Sequence, residues 1–409
     1  MVLNKTRATA ITLMAMIFVQ IPLGHSTTSK THINVYHLLL LIMPVLYLPA
    51  ARYLKLNPAT AFIAVVTTTS LAAAATYGGG LRSTLIVFVA SSYFLGMVFG
   101  HKLAEMELRK IFIWMLGCCF TFLILRDIAY ANALGSIYTR SETASSVLYM
   151  STGGRNIEAS LLALLSILLI GTRAYPIAAG IAFLTSATML SRAGLIGAAV
   201  SIFIAAWRMR KTRHYYFYTF FCVAMVVLVV GLILSQVIDV PVLDRFNLQA
   251  ETQLEHKNVG RLALWTNAGV ALKQNLLGYG VGNGVPIMEQ ISGLKFVENN
   301  VHNIYLQFLL EGGLQSALLF LVMCAHILFS KTEGQNTNVK AFLLLYLMLA
   351  CIEFSGYEAY FWFFVGMFYA RQEVRHRRLK AEAGEHEKAR RAWLRSKAPI
   401  PLPEPAHAQ

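Results

Sequence analysis

Long apolar runs recur along almost the whole chain, and they restrict its fold more than any other feature. Many of them contain about 20 residues, the length at which a helix rising 1.5 Å per residue crosses a hydrocarbon layer of about 30 Å. Only 13% of the 409 residues are charged, whereas a soluble domain carries about 25%. The sequence therefore predicts an all-α polytopic integral membrane protein.

Polar breaks divide these runs into twelve candidate transmembrane helices. The breaks around spans six to eight are very short, so a count that differs by one is compatible with the pattern. The predicted spans are 8–24, 33–51, 58–77, 83–100, 110–131, 156–172, 174–190, 193–207, 215–238, 303–329, 339–356 and 359–370.

The distribution of Lys and Arg indicates the orientation. With the N-terminus in the cytoplasm, most of the 35 basic residues fall in inner segments, as the positive-inside rule requires. Both termini are then cytoplasmic, and the first helix is expected to be uncleaved. The net charge of +15 is explained by topology and by attraction to anionic lipids, so it does not indicate a nucleic-acid partner.

Four regions follow from this topology. Residues 1–238 hold spans one to nine, 239–302 form one large outer loop, 303–370 hold spans ten to twelve, and 371–409 form a basic cytoplasmic tail. Residues 371–397 form a basic, helix-like stretch that ends in a proline-rich segment. This tail is expected to lie on the membrane surface or to be disordered, with no part in catalysis.

Several charged residues fall near the predicted outer ends of the spans. Charges in hydrocarbon are costly and usually face a cavity or one another, although snorkelling to the interface explains some of them individually. Their common side predicts a polar cavity that opens outward. The residues are Arg126, Asp127, Glu158, Arg192, Glu353 and Glu358.

The large outer loop contains an amphipathic helix within 260–272. Helical spacing places Arg261, Trp265, Ala268 and Leu272 on one face. Such a helix can lie on the bilayer surface with Trp265 among the headgroups and Arg261 able to meet a phosphate. A plain surface helix with one snorkelling arginine explains the same pattern.

A glycine run and a histidine follow that helix. In the segment 278–284, Gly280 and Gly282 permit turns whose N–H groups can cradle an anion, and a plain flexible turn fits equally well. His302 stands where the loop enters span ten, a position at which a neutral imidazole can take a proton from a hydroxyl. A polar residue at the interface is the alternative, and Asn303 is expected to cap the helix.

A second arginine lies in the sharp outer turn between spans seven and eight. Ser191 and Arg192 occupy this turn, and Arg155 lies at the outer end of span six. The planar guanidinium contacts phosphate oxygens in pairs and keeps its charge. Together with Arg261 and His302, Arg192 suits an anionic lipid headgroup.

In this order the three motifs resemble those of the O-antigen ligase/polymerase family of bacterial envelope glycosyltransferases. They are Ser191-Arg192, then Arg261 with Trp265 and the glycine run, then His302-Asn303 with Glu311-Gly312. The resemblance covers the C-terminal half. The first five spans are similar only in being apolar, and Asn275 stands where the family often has a proline.

The resemblance implies a GT-C-type glycosyltransferase in the bacterial inner membrane with a periplasmic active site. The donor would be a glycan on undecaprenyl diphosphate and the acceptor a lipid A–core sugar, with no cofactor, nucleotide or metal. Arg192 and Arg261 would hold the diphosphate, and His302 would deprotonate or orient the acceptor hydroxyl. Further substrate contacts are expected at Asn303, Trp265, Arg155, Ser191, Gly280 and Gly282.

Other functions remain open at this point. A polysaccharide polymerase and a protein-directed oligosaccharyltransferase use the same donor, and the outer segment 132–155 is a possible second loop of the kind polymerases have. A flippase for lipid-linked oligosaccharides would also have twelve spans. However, the chain shows no similar halves, and its charges lie at the outer edge rather than at the midplane. A ligase is the favoured interpretation.

Overall fold

The computed structural model describes residues 5–21, 34–78, 81–104, 108–129, 150, 154–189, 191–210, 216, 220, 224, 261–296 and 300–396. Within these ranges the chain is helical and contains no β-strand. Each predicted span coincides with a helix except span nine (215–238), which lies outside the described residues apart from three positions. The all-α prediction is thus confirmed, and twelve spans remain a prediction.

Thirteen α-helices are described. Helices α3, α4, α5, α8 and α11 are each long and apolar enough to cross a membrane, which indicates a multi-pass membrane protein. The helices are α1 (Lys5–Phe18), α2 (Val35–Leu46), α3 (Pro58–Tyr77), α4 (Leu85–Lys102), α5 (Leu108–Ala129), α6 (Gly154–Leu168), α7 (Tyr175–Thr188), α8 (Arg192–Met209), α9 (Arg261–Gln274), α10 (Gly284–Ser292), α11 (Ile304–Phe329), α12 (Asn336–Leu349) and α13 (Ala359–Ser396).

Glycines allow α4 and α13 to cross with their backbones in contact. A Cβ atom on Gly96 would lie 2.0 Å from the carbonyl oxygen of Phe363, and one on Gly366 would lie 2.2 Å from that of Tyr93. Gly96 and Gly100 form the small-xxx-small spacing that permits such close approach between membrane helices. This crossing fixes α13 in the core, where Trp362 is fully buried against Phe62.

Small residues also allow α6 and α8 to pack closely. A Cβ atom on Gly194 would approach Ala159 to 2.7 Å, and one on Gly197 would lie 3.1 Å from both Ala163 and Leu349. Leu349 is the last residue of α12, so the beginning of α8 lies beside the end of α12.

Helix α11 is interrupted, and a loop fills the interruption. Gly313 has φ 76° and ψ 179° within α11, and the loop 275–284 bonds to the groups this exposes. Leu314 N–H donates to the carbonyl of Leu276 (2.9 Å), and Gly280 N–H donates to that of Glu311 (2.8 Å). Non-helical backbone at membrane depth is tolerated where protein satisfies its polar groups in this way.

The predicted tail begins as a continuation of the last span. Helix α13 runs to Ser396, in agreement with the helix-like pattern of residues 371–397, and a surface-lying tail stays a prediction. Arg, Lys, Glu and Ala dominate this stretch and favour helix. Ion pairs at i,i+4, such as Arg378 with Glu382 and Arg391 with Glu387, support it. The proline-rich residues 397–409 lie outside the described part.

Candidate functional site

Several of the charges predicted at the outer helix ends gather at one end of the bundle, which we call the site end. It contains the starts of α6, α8 and α11 and the ends of α5 and α12. Ser191 Oγ donates to the carbonyl of Asn156 (3.4 Å), and Ile304 N–H donates to that of Ala350 (2.9 Å). Helices α8 and α11, which carry the first and third motifs, therefore begin on the same side.

Some of these charges pair with one another. The Arg126 guanidinium donates to both carboxylate oxygens of Glu158, at 2.6 and 2.8 Å, and it also binds Asp127. Arg126 and Glu158 are both buried. Glu358 accepts from the backbone N–H groups of Ser355 and Gly356 and so shapes the turn between α12 and α13. Arg126, Asp127 and Glu158 thus face one another as expected, while the open polar cavity stays a prediction.

His302 has an unusual backbone conformation. Its φ of 52° lies in the left-handed region, which costs a non-glycine residue about 1–3 kcal/mol and is often found at functional sites. The Asn300 side chain holds the turn by accepting the His302 N–H at 2.8 Å. This left-handed backbone conformation therefore sets the direction in which the imidazole leaves the chain.

The ring of His302 is oriented by the segment after α12. Its Nδ1 lies 3.1 Å from the backbone carbonyl oxygen of Glu353. A carbonyl only accepts, so Nδ1 must carry the proton in this contact. In neutral His302 the lone pair is then on Nε2. This tautomer is the one that a general base acting through Nε2 requires.

Asn303 begins α11. Its side-chain oxygen accepts from the N–H groups of Tyr305 (3.1 Å) and Leu306 (3.0 Å), so the predicted N-cap is confirmed. Gln307 adds a contact from its side-chain oxygen to the Val301 N–H (2.8 Å). Asn303 therefore fixes the helix start next to His302, and a contact with substrate stays a prediction.

Arg261 and His302 are linked through one residue, Glu353. The Arg261 guanidinium lies 3.6 Å from the Glu353 carboxylate, with side-chain exposures of 40% and 7%. The carbonyl of the same glutamate binds the His302 ring. From the sequence, Glu353 is predicted only as one of the outer charges, without a role. Hydropathy indicated only that Glu353 lies near the outer end of its span. Its partners, Arg261 and His302, come from distant parts of the chain.

Trp265 attaches α9 to the histidine turn. The indole N–H donates to the Val301 carbonyl at 2.9 Å, one residue before His302. The predicted face of α9 packs within the protein rather than on a bilayer surface, because Ala268 and Leu272 belong to a buried cluster with Val301 and Met288. This packing carries Arg261, the first residue of α9, to the site end.

Arg192 lies at the same end of the bundle. It is the first residue of α8, and the Ser191 hydroxyl caps the helix by accepting the Gly194 N–H at 3.1 Å. Arg192 lies about 7.5 Å along α8 from Gly197, which faces Leu349. Glu353 follows Leu349 by one helical turn, so Arg192 and Glu353 lie at similar depth.

The glycine run surrounds an internal anion, the carboxylate of Glu311. Gly284 N–H donates to Glu311 Oε1 at 3.2 Å, the Gly282 backbone also bonds to this side chain, and the Tyr357 hydroxyl donates to Oε2 at 2.5 Å. Burial, and next the nearby carboxylate, raise the pKa of the Tyr357 phenol well above its usual range, so it stays a donor. Glu311 thus pairs with the glycine run and with the turn before α13.

The backbone role of Gly280 is clear from its surroundings. It has φ 81°, and a Cβ atom there would lie 2.8 Å from Ala73 of α3. Its N–H donates to the backbone carbonyl oxygen of Glu311. Substrate contacts of Gly280 and Gly282 stay predictions. Arg155 is in the first turn of α6, and its side chain lies outside the described residues.

An apolar cleft of about 400 Å³ begins beside the histidine turn. It starts at Trp265 and Asn303 and follows α11 across the break at Gly313. Its lining is aromatic and aliphatic, so it fits a hydrocarbon chain rather than a sugar. Lining residues include Tyr305, Leu309, Phe320 and Leu321.

Comparison with protein families gives one match to this region: residues 177–321 match the O-antigen ligase family model. The matched segment is about a third of the chain and includes all three motifs, from Ser191 to Gly312. The resemblance seen in the sequence is confirmed there, and it indicates a ligase- or polymerase-type glycosyltransferase activity. Comparisons with curated proteins and with solved structures give no match.

Proposed function

We propose that this chain, whose residues 177–321 match the O-antigen ligase family, is an O-antigen ligase of the bacterial inner membrane. It would move a polysaccharide from undecaprenyl diphosphate to a hydroxyl of lipid A–core at the periplasmic face. The observation that carries the proposal is the cluster of His302, Glu353 and Arg261 at the site end. Two of these three residues lie within the matched segment.

His302 acts as the general base in this proposal. The acceptor hydroxyl oxygen forms a bond to the anomeric carbon while its proton moves to Nε2, the nitrogen left with a lone pair by the contact between Nδ1 and Glu353. The bond from the anomeric carbon to the diphosphate oxygen breaks on the opposite face. One displacement of this kind inverts the anomeric centre.

Arg261 and Arg192 act on the leaving group. Negative charge develops on the diphosphate as the bond breaks, and fixed guanidinium groups stabilise that charge most in the transition state. The Arg261 side chain is 40% exposed and thus accessible to a ligand. Arg192 starts α8 at similar depth, where the positive end of the helix dipole adds to its charge.

The apolar cleft would receive part of the isoprenoid chain. It opens beside Asn303 and Trp265, next to His302, and runs along α11 as far as Leu321. A headgroup at the arginines and a chain in this cleft would place the anomeric carbon near the histidine turn. This arrangement orients the donor before the acceptor arrives.

The test is complementation with His302→Ala in cells that lack the protein. The variant should restore no polymer on lipid A–core, because the acceptor proton has no base. His326→Ala is the matched control: His326 lies near the far end of α11, packed on Tyr369, and its loss should leave transfer near normal. Near-normal transfer by His302→Ala at equal membrane abundance would contradict the proposed role.

A further inference from the structure

Arg261 lies beside a carboxylate that competes for it. The distance of 3.6 Å to Glu353 is longer than the 2.7–2.9 Å typical of a charge-assisted hydrogen bond. The pair is therefore loose. An anion that binds the exposed face of Arg261 therefore competes with the Glu353 carboxylate for the guanidinium.

The two partners differ in how firmly they are held. Glu353 is 7% exposed, its N–H donates to the Leu349 carbonyl at 3.0 Å, and its own carbonyl binds the His302 ring. Arg261 is the first residue of α9 and has a long, 40% exposed side chain. In an exchange of partners the arginine moves and the glutamate stays in place.

We propose that Glu353 is the positioning residue that returns Arg261 from the diphosphate leaving group and so promotes release of the lipid diphosphate. The proposal rests on the proposed function, in which Arg261 binds that group. It goes beyond the family match, which ends at residue 321, before Glu353.

The need for such a residue follows from the charges. A glycosyl diphosphate carries about two negative charges, and the free lipid diphosphate carries up to one more because its terminal phosphate gains an ionisable oxygen. Arginines that stabilise the leaving group therefore hold the product more tightly than the donor. A fixed carboxylate next to Arg261 weakens both complexes and returns the site to its unliganded state.

Removing the Glu353 charge should thus tighten binding, which is the opposite of what loss of a ligand contact does. Glu353→Gln should lower the dissociation constant for a lipid diphosphate by about two- to fivefold, the range expected for one partly exposed ion pair. In transfer assays the same variant should lower KM for the donor, lower kcat, and increase inhibition by added undecaprenyl diphosphate. A structural role alone would not lower KM.

The experiment measures binding of farnesyl diphosphate to the full chain in nanodiscs. Arg261→Ala should weaken binding at least about tenfold, and adding Glu353→Gln to it should tighten binding less than Glu353→Gln does in the wild-type protein. Asp127→Asn is the matched control, because it removes one negative charge at the same end of the bundle from a carboxylate paired with Arg126. It should leave binding unchanged.

The outcomes separate the two claims. If the wild-type protein fails to bind farnesyl diphosphate, or Arg261→Ala binds it normally, the diphosphate site of the proposed function is wrong. If both behave as expected but Glu353→Gln binds equally or more weakly, only the role of Glu353 is overturned. Should Glu353→Gln fold poorly, Glu353→Asp keeps the charge and shortens its reach. Its affinity must then exceed that of wild type, and an equal or lower affinity overturns the role.

Discussion

Substitution of Glu311 tests how the break in α11 is held. In Glu311→Ala four buried donors lose their acceptor: the backbone N–H groups of Gly282 and Gly284, the Tyr357 hydroxyl and the Gln307 side-chain amide. Each unsatisfied buried donor costs about 1–3 kcal/mol, so the loop 275–284 should be destabilised by at least about 3 kcal/mol. Glu311→Gln keeps a side-chain oxygen for Gly284 and an amide that Tyr357 can accept, so its cost should be about 1 kcal/mol.

Amide hydrogen exchange of peptides covering 275–284, followed by mass spectrometry in nanodiscs, measures this local opening. Because about 1.4 kcal/mol corresponds to a factor of ten, exchange should be about 100-fold faster in Glu311→Ala and less than about tenfold faster in Glu311→Gln. Peptides from α4, which packs on α13, serve as the internal control and should be unchanged. Wild-type exchange in Glu311→Ala would refute the inference that this carboxylate holds the loop.

Three further predictions follow from the site end. Asn303→Ala should cost about 1 kcal/mol through loss of the α11 cap, whereas Asn303→Asp should melt within error of wild type; equal melting temperatures for both variants would exclude a capping role. Glu158→Gln should cost about 3–5 kcal/mol in thermal melts because it leaves the buried Arg126 without its bidentate partner, and replacing both residues by methionine should recover most of that loss. Arg192→Lys should abolish polymer transfer if a two-point contact with the diphosphate is needed, and full transfer at equal abundance would show that charge alone suffices.

Hydropathy and local capping rules were sufficient to predict much of the helical framework. The boundaries of α3 coincide with the predicted span 58–77, because an isolated apolar run between polar breaks has one helical solution in a membrane. The Asn303 cap was also predicted correctly, since a capping side chain acts within its own first turn. The face of α9 that carries Trp265 was predicted correctly. However, this face packs on residues such as Val301 and Met288, and not on the bilayer surface as expected.

Contacts between distant segments could not be predicted in this way. The break at Gly313 is stable because the loop 275–284 supplies backbone hydrogen bonds that α11 lacks there. The sequence of α11 itself does not indicate which segment supplies them. Similarly, Glu353 was visible only as one more charge near a helix end. Its position between Arg261 and His302 depends on how α9, α11 and α12 pack together.

The most direct test of the proposed function is a lipopolysaccharide gel from cells that lack this protein, with the pool of lipid-linked glycan assayed in parallel. A ligase predicts core without polymer, together with accumulated long polysaccharide on undecaprenyl diphosphate. Core that carries a single repeat unit would contradict the proposal and indicate a polymerase instead.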